Sequence, residues 1–270
     1  MYTEVYNLWE NMPESLGETP TIEYYKPKEK TTDFAVVIFP GGGYCMKAEH
    51  EGADYAEFFA EHGITAFVVQ YRVSPCVFPL PLLDARRAVQ FVRHNAQRFD
   101  VDKNKIAVMG SSAGGHLAAL VSTYFDNVEY EKNDEVDNEC FVPNAQILCY
   151  PVINLYDKNI AHIGSGNNLI GDDIKDVNAC QRRERISPNM LVTKDTPQAF
   201  IWHTFEDPIV NVRNSLEYAV QLRELKVPTE MHIFPHGGHG LGLTTKSNST
   251  EMHISVWGEL LVKWLLYIEW

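Results

Sequence analysis

Residues 110–114 read Gly-Ser-Ser-Ala-Gly, a G-x-S-x-G pattern centred on Ser112. Ser111 does not fit it, because Met109 and Ala113 occupy the flanking positions. Roughly 0.1 such matches arise by chance in a chain of this size, so the bare pattern is only moderately specific. Its context says more: an apolar run, KIAVMG (105–110), precedes it and a helical run, AGGHLAALVSTYF (113–125), follows. A sharp strand-to-helix turn lifts a serine above a sheet, and small flanking residues allow the strained backbone this requires. The helix start also aims N–H groups and a positive dipole end at the site. The plainer reading is a Gly-rich helix start that packs closely on its strand.

A serine hydroxyl is a poor nucleophile without a base. PHGGHGLGL (235–243) offers two histidines, His236 and His239. Glycines on both sides of His239 suit an exposed loop that brings an imidazole over a sheet edge, so His239 is the favoured base. His236 is the rival, expected at the surface or in a supporting role. An acid to orient the base is expected after the preceding strand, where FIWHTFEDPIV (200–210) places Glu206 and Asp207. Asp207 precedes Pro208, and its alternative role is that of a turn or helix-capping residue. Pro40-Gly41-Gly42-Gly43-Tyr44 supplies a turn where backbone amides can approach a tetrahedral intermediate with no Cβ in the way. A phosphate-binding turn is the other use of such glycines, but neither G-x-G-x-x-G nor a GK[ST] ending is present.

These groups need a scaffold, and the chain alternates strand and helix patterns. FAVVIFP (34–40), ITAFVVQ (64–70), KIAVMG (105–110), AQILCYP (145–151), QAFIWHT (198–204) and TEMHIF (229–234) are short apolar runs of strand character. Between them, EGADYAEFFAEHG (51–63), LLDARRAVQFVRHNAQRF (82–99), 113–125 and NVRNSLEYAVQLRELKV (211–227) read as helices. Ala85, Ala88, Val89, Val92 and Ala96 form one stripe of the second. A C-terminal helix aligns Val256, Trp257, Leu260, Leu261, Trp264, Leu265 and Ile268. This order predicts an α/β fold, a mostly parallel sheet with helices on both faces, whose sites lie beyond the carboxyl ends of the strands. All of residues 1–270 are expected in one domain.

Two segments break the rhythm. Residues 126–144 are acidic and read as a solvated excursion. Residues 152–197, before the penultimate strand, are too long for an ordinary connection and read as a lid or substrate wall, with a bland surface insertion as the alternative. Asn154, Asn159, Asn167, Asn168, Asp172 and Asp173 punctuate this insertion.

Composition bounds the function. The chain has 270 residues and a formal charge of −13, so its surface should repel phosphate backbones and anionic lipid. No nucleic-acid or membrane partner is expected. Five cysteines, with no CxxC spacing, indicate neither a disulfide framework nor a zinc site. The N-terminus has no basic region followed by an apolar run, which favours a cytoplasmic location and leaves open a signal peptide removed beforehand.

With these pieces in chain order, the sequence resembles the α/β-hydrolase serine esterases, and more narrowly the acetyl xylan esterase-like and feruloyl esterase-like (BD-FAE-type) group. IFPGGGY (38–44), VQYRVSP (69–75), LDARRAVQFVR (83–93), GSSAGGHLAA (110–119), ISPNMLVTKDTPQAFIWHTFEDPIV (186–210) and FPHGGHGLGL (234–243) carry the resemblance over nearly the whole chain. It implies Ser112 as nucleophile, His239 as base, Asp207 as orienting acid, and the amides of Gly42, Gly43 and Ala113 as the oxyanion hole, with no metal or cofactor. Hormone-sensitive-lipase-like esterases have His before the three glycines; Pro40 stands here, which argues against that branch. Arg72 and His116 also match and are read as structural. The implied substrate is a short-acyl ester, acetyl above all, of a carbohydrate such as a xylo-oligosaccharide, with Tyr44 a candidate platform for a sugar ring. A general short-chain carboxylesterase, a prolyl-oligopeptidase-type peptidase and an inactive binding module are the alternatives.

Overall fold

The computed structural model describes residues 2–14, 16–132, 134–171, 177–244 and 248–270. Its strands are β1 (Tyr2–Asn7), β2 (Thr21–Lys26), β3 (Ala35–Phe39), β4 (Thr65–Gln70), β5 (Ile106–Ser111), β6 (Ala145–Cys149), β7 (Gln198–Thr204) and β8 (Thr229–Phe234). They form one sheet in the order β1-β2-β4-β3-β5-β6-β7-β8. The pairs β1–β2 and β2–β4 are antiparallel, and the other five are parallel. The six parallel-sheet strands are those expected from their apolar runs; the antiparallel pair at the N-terminal edge has no counterpart in that reading.

Alternation along each central strand divides the apolar residues between two cores. Ala35, Val37 and Phe39 of β3 and Ile106 and Val108 of β5 face one core. Val36, Ile38, Ala107 and Met109 face the other. The second core is covered by α1 (Ala53–Glu61), through Tyr55 and Phe59. The first is covered by α2 (Leu80–His94), with the short α3 (Ala96–Phe99) beyond it, and by α4 (Ser112–Thr123). Then follow α5 (Ile163–Ile170) and α6 (Val177–Glu184) in the long insertion, with a 3-10 turn at Pro188–Met190. α7 (Arg213–Glu224) adds Tyr218 and Leu222 to the first core, and α8 (Ser249–Ile254) leads into α9 (Val256–Tyr267). Trp257, Leu261, Trp264 and Leu265 of α9 are buried on the second, as their spacing predicts, whereas Val256 is exposed.

The 126–144 excursion differs from expectation. Its acidic residues are not simply solvated: Asp137 is buried and accepts from Arg87 at 2.9 Å, and Asp134 pairs with the same guanidinium. Gln90 and Arg93 of α2 also donate to its backbone. A guanidinium on a covered helix face needs several acceptors, and the excursion provides them. In consequence α2 is buried well beyond its alanine stripe.

The insertion is likewise less of a surface feature than its asparagines suggest. Asn154 is buried, and its Oδ1 accepts from the backbone N–H of Tyr156 and Asp157. Asn168 turns inward as well, onto the glycine turn. Asp172 and Asp173 lie outside the described residues. Arg72 anchors a loop, as expected: both side chains of the Arg72–Asp84 pair are inaccessible, Arg72 Nη1 donates to Pro13 O at 2.7 Å, and Trp9 Nε1 donates to Asp84.

Candidate active site

Strand β5 ends at Ser111 and α4 begins at Ser112, so the chain reverses within one residue. Ser112 adopts φ 53°, a left-handed conformation that a side chain seldom takes without compensation. The flanking glycines are required by contact. A Cβ on Gly110 would stand 2.0 Å from Gly114 O, and one on Gly114 would stand 2.0 Å from Phe39 O. The spacing of the pattern is thus the spacing of two backbone approaches on either side of a strained serine.

His239 comes from the loop after β8, between Gly237 (φ 141°) and Gly240 (φ 71°). Its Nε2 lies 2.9 Å from Ser112 Oγ and its Nδ1 lies 2.7 Å from Asp207 Oδ2. These distances suit Ser112 O–H donating to the imidazole and the imidazole Nδ1–H donating to the carboxylate. His236 is exposed and pairs with Glu206 at 3.0 Å. Of the two histidines, the structure brings His239 to Ser112.

The geometry of Asp207 suits both roles weighed for it. Its Oδ1 accepts from the N–H groups of Ile209 and Val210, both at 2.9 Å, and so closes the turn into the segment before α7. Its Oδ2 is left for histidine. Burial alone would raise its pKa; the hydrogen bonds from His203 and His239 outweigh that and hold the carboxyl well below the usual range.

His203 is the residue that sequence reasoning missed. It is buried on β7, with Nε2 3.2 Å from Asp207 Oδ2 and 3.0 Å from Val210 O. Two acceptors around Nε2 place the proton there, and Ser215 Oγ, 2.8 Å away, then donates to Nδ1. The carboxylate is therefore flanked by two imidazoles.

The glycine turn abuts the serine: a Cβ on Gly41 would stand 3.1 Å from Ser112 Cβ and 2.3 Å from Glu51 Oε2. Gly41 N–H donates to Glu51, and the carbonyl of Gly42 (φ 125°) accepts from Cys45 and Met46. Gly43 (φ 66°) turns its carbonyl to Asn168. Among the described residues the N–H groups of Gly42 and Gly43 have no hydrogen-bond acceptor. Ala113 lies in the first turn of α4, where a helix leaves its N–H groups free. This is a set of donors beside a serine hydroxyl that a histidine can deprotonate, the requirements for acyl transfer.

Tyr44 does not offer a platform for a sugar. It is fully buried, and its hydroxyl bonds His116 Nδ1 at 2.8 Å. The aromatic ring is consumed by packing against Tyr71 and His116. His116 is structural, as expected. Its Nε2 donates to Ile186 O, and burial pushes its pKa down to about 4 although that bond opposes the shift.

Among the described residues no three His, Cys, Asp or Glu side chains are grouped to hold a metal ion, and no helix is long and apolar enough to cross a membrane.

Comparison with known proteins follows the same outline. A solved acetyl ester-xyloside bifunctional hydrolase from Caldicellulosiruptor lactoaceticus is 38% identical, with a TM-score of 0.86 over 97% of this chain and 95% of that one. An endo-1,4-beta-xylanase B from Butyrivibrio fibrisolvens is 35% identical over 87% of this chain and 37% of its own length. An acetylxylan esterase from Xylanibacter ruminicola is 32% identical over 80% of this chain and 43% of its own. The chain thus spans about two fifths of the length of these two curated relatives. The BD-FAE family model matches residues 22–222. With the eight-stranded sheet and these relatives, the match makes the chain a member of the BD-FAE family of α/β-hydrolase esterases.

Proposed function

We propose that the chain is a serine esterase that removes short acyl groups, acetyl above all, from carbohydrate esters such as acetylated xylo-oligosaccharides. The observation that carries the reading is the unbroken hydrogen-bond chain from Ser112 through His239 to Asp207. As Ser112 Oγ attacks the ester carbonyl, His239 Nε2 takes its proton, and Asp207 holds the tautomer and stabilises the imidazolium. The developing oxyanion accepts from the amides of Gly42, Gly43 and Ala113. His239 then returns the proton to the departing alcohol. A water deprotonated by the same histidine hydrolyses the acyl-enzyme and frees the acid and Ser112. No step calls on a metal or cofactor.

The carbohydrate half rests on the relatives, whose names include an acetylxylan esterase and an acetyl ester-xyloside hydrolase. The test is a panel of acetylated xylo-oligosaccharides, 4-nitrophenyl acetate and a peptide amide. Release of acetate from the sugar esters with kcat/KM at or above that for the nitrophenyl ester supports the proposal. Turnover of 4-nitrophenyl acetate alone leaves a general short-chain carboxylesterase; cleavage of the amide leaves a peptidase.

A further inference from the structure

Glu51 ends a 3-10 turn, Glu49–Glu51, and is buried. Burying a carboxylate is costly unless its oxygens are filled, and apolar residues would occupy such a position more cheaply. Among the described residues no Lys, Arg or His pairs with it; neutral donors fill its oxygens instead. One donor is Gly41 N–H, 2.9 Å from Oε2. The other is the Tyr150 hydroxyl, 2.8 Å from Oε1. These donors belong to different parts of the candidate site.

Gly41 opens the glycine turn. Tyr150 reaches the loop that carries His239: its hydroxyl accepts from Gly242 N–H at 3.0 Å, and its ring stands edge-on to the His239 ring with centroids 5.0 Å apart. The preceding residue, His50, donates from Nε2 to Gly240 O at 2.9 Å. A Cβ on Gly240 would stand 4.0 Å from Glu51 Oε1. The Tyr150 hydroxyl is also 3.3 Å from Tyr55 Oη, which is 2.9 Å from Ser111 Oγ beside the nucleophile. One carboxylate is therefore the common acceptor through which the oxyanion turn, the base loop and the end of β5 are joined. Hydrogen bonds to a charged acceptor are stronger and shorter than neutral ones, which suits a group that must hold two loops in register.

We infer that Glu51 is a positioning residue for acyl transfer. It fixes the Gly41 peptide so that the Gly42 and Gly43 amides remain turned to the ester oxygen, and through Tyr150 it sets the loop that presents His239. It touches neither the ester nor the reacting atoms. This rests on the roles given above to Ser112, His239 and the glycine amides.

The experiment compares Glu51→Ala, Glu51→Gln and Tyr150→Phe in the full chain, with 4-nitrophenyl acetate as substrate and kcat expressed per serine titrated by a fluorophosphonate. Ser112→Ala sets the background. Glu51→Ala is expected to lower kcat about 100-fold, the effect of losing one oxyanion donor, with KM little changed. Glu51→Gln, which still offers Gly41 an acceptor, restores most of it. Tyr150→Phe, which keeps the ring against His239, lowers kcat about tenfold, the effect of one hydrogen bond. Folded variants with lowered thermal stability but wild-type kcat per titrated serine overturn the inference, because Glu51 is then merely structural. Should Glu51→Ala not fold, Tyr150→Phe alone decides, and a wild-type kcat there overturns it. Turnover retained by Ser112→Ala instead overturns the underlying nucleophile assignment, in an arm that does not involve position 51.

Discussion

Asn168 donates its side-chain amide to the carbonyl of Gly43, 2.8 Å away and 125 residues earlier in the chain. A second tie runs alongside it, from Tyr44 through the fully buried His116 to the carbonyl of Ile186. The long insertion is therefore fastened at two points to the turn that carries the candidate oxyanion donors. Its helix α5 forms a wall of that turn, with Ser165 Oγ 4.0 Å from where a Cβ on Gly43 would stand.

Asn168→Ala removes the first tie and leaves the second. The Gly43 peptide gains freedom to rotate its N–H away from the developing charge. Steady-state kinetics should show kcat about tenfold lower, the effect of one hydrogen bond, with a thermal midpoint close to wild type. An unchanged kcat would show that the insertion does not tune the turn.

The covalent residue should be Ser112 and not its neighbour. Ser111 is fully buried and its hydroxyl is bonded to Tyr55, whereas the His239 imidazole is bonded to Ser112. A fluorophosphonate should label Ser112 alone, read by mass spectrometry of the digested adduct. An adduct on any other residue sinks the assignment.

His239→Ala should lower kcat by about 10⁴-fold or more, whereas His236→Ala, which loses only a surface pair with Glu206, should stay near wild type. Asp207→Asn keeps a turn acceptor but presents an amide to His239 and His203. A drop of about 10⁴-fold is expected from the wrong tautomer. A nearly active Asp207→Asn would assign Asp207 to the turn alone.

Much of this site was legible in the residues because glycine leaves a readable trace. Gly110, Gly114 and the 41–43 turn are places where backbone meets backbone, and no other residue fits the contacts at Gly110 and Gly114. Strands β3 to β7 were legible because both their faces are buried, giving continuous apolar runs. β1 was not: it is an edge strand of six residues with Val5 exposed, and its polar alternation resembles a loop. Long-range polar pairing was also hidden. Arg87 with Asp137 reads as two surface charges until the fold brings the helix under the excursion. His203 carried no signal beyond its place on a strand. Tyr44 was misread because a residue beside a glycine turn looks exposed, while its ring packs in the core against Tyr71 and His116.

His116 makes stability depend on pH. Its pKa falls from an ordinary 6.5 to about 4, chiefly through burial, so the folded chain holds it neutral. The contribution is complete above 6.5, where both states are neutral, and is lost as pH falls through about 4, because the unfolded chain takes up the proton first. The loss attached to this shift is about 3 kcal/mol. Urea unfolding at intervals across that window should show a decline that His116→Gln reduces. An equal decline in the variant would place the acid sensitivity elsewhere.

Acyl length tests how the insertion shapes the pocket. Its apolar residues Val152, Ile153, Leu155, Ile160, Leu169 and Ile186 are buried in the protein, which leaves them unavailable to line an acyl channel. Ile163 and Met190 are its exposed large apolar side chains among the described residues, too few for the extended apolar face that a lipase lid presents. Each acyl CH₂ that becomes buried adds about 0.8 kcal/mol of binding, close to a fourfold gain per carbon in transition-state affinity. Without a surface to receive those carbons, the gain is not realised. Across 4-nitrophenyl esters from acetyl to decanoyl, kcat/KM should therefore be highest at acetyl or propionyl and fall beyond. A steady rise out to decanoyl would reject the short-acyl reading and identify an apolar acyl channel.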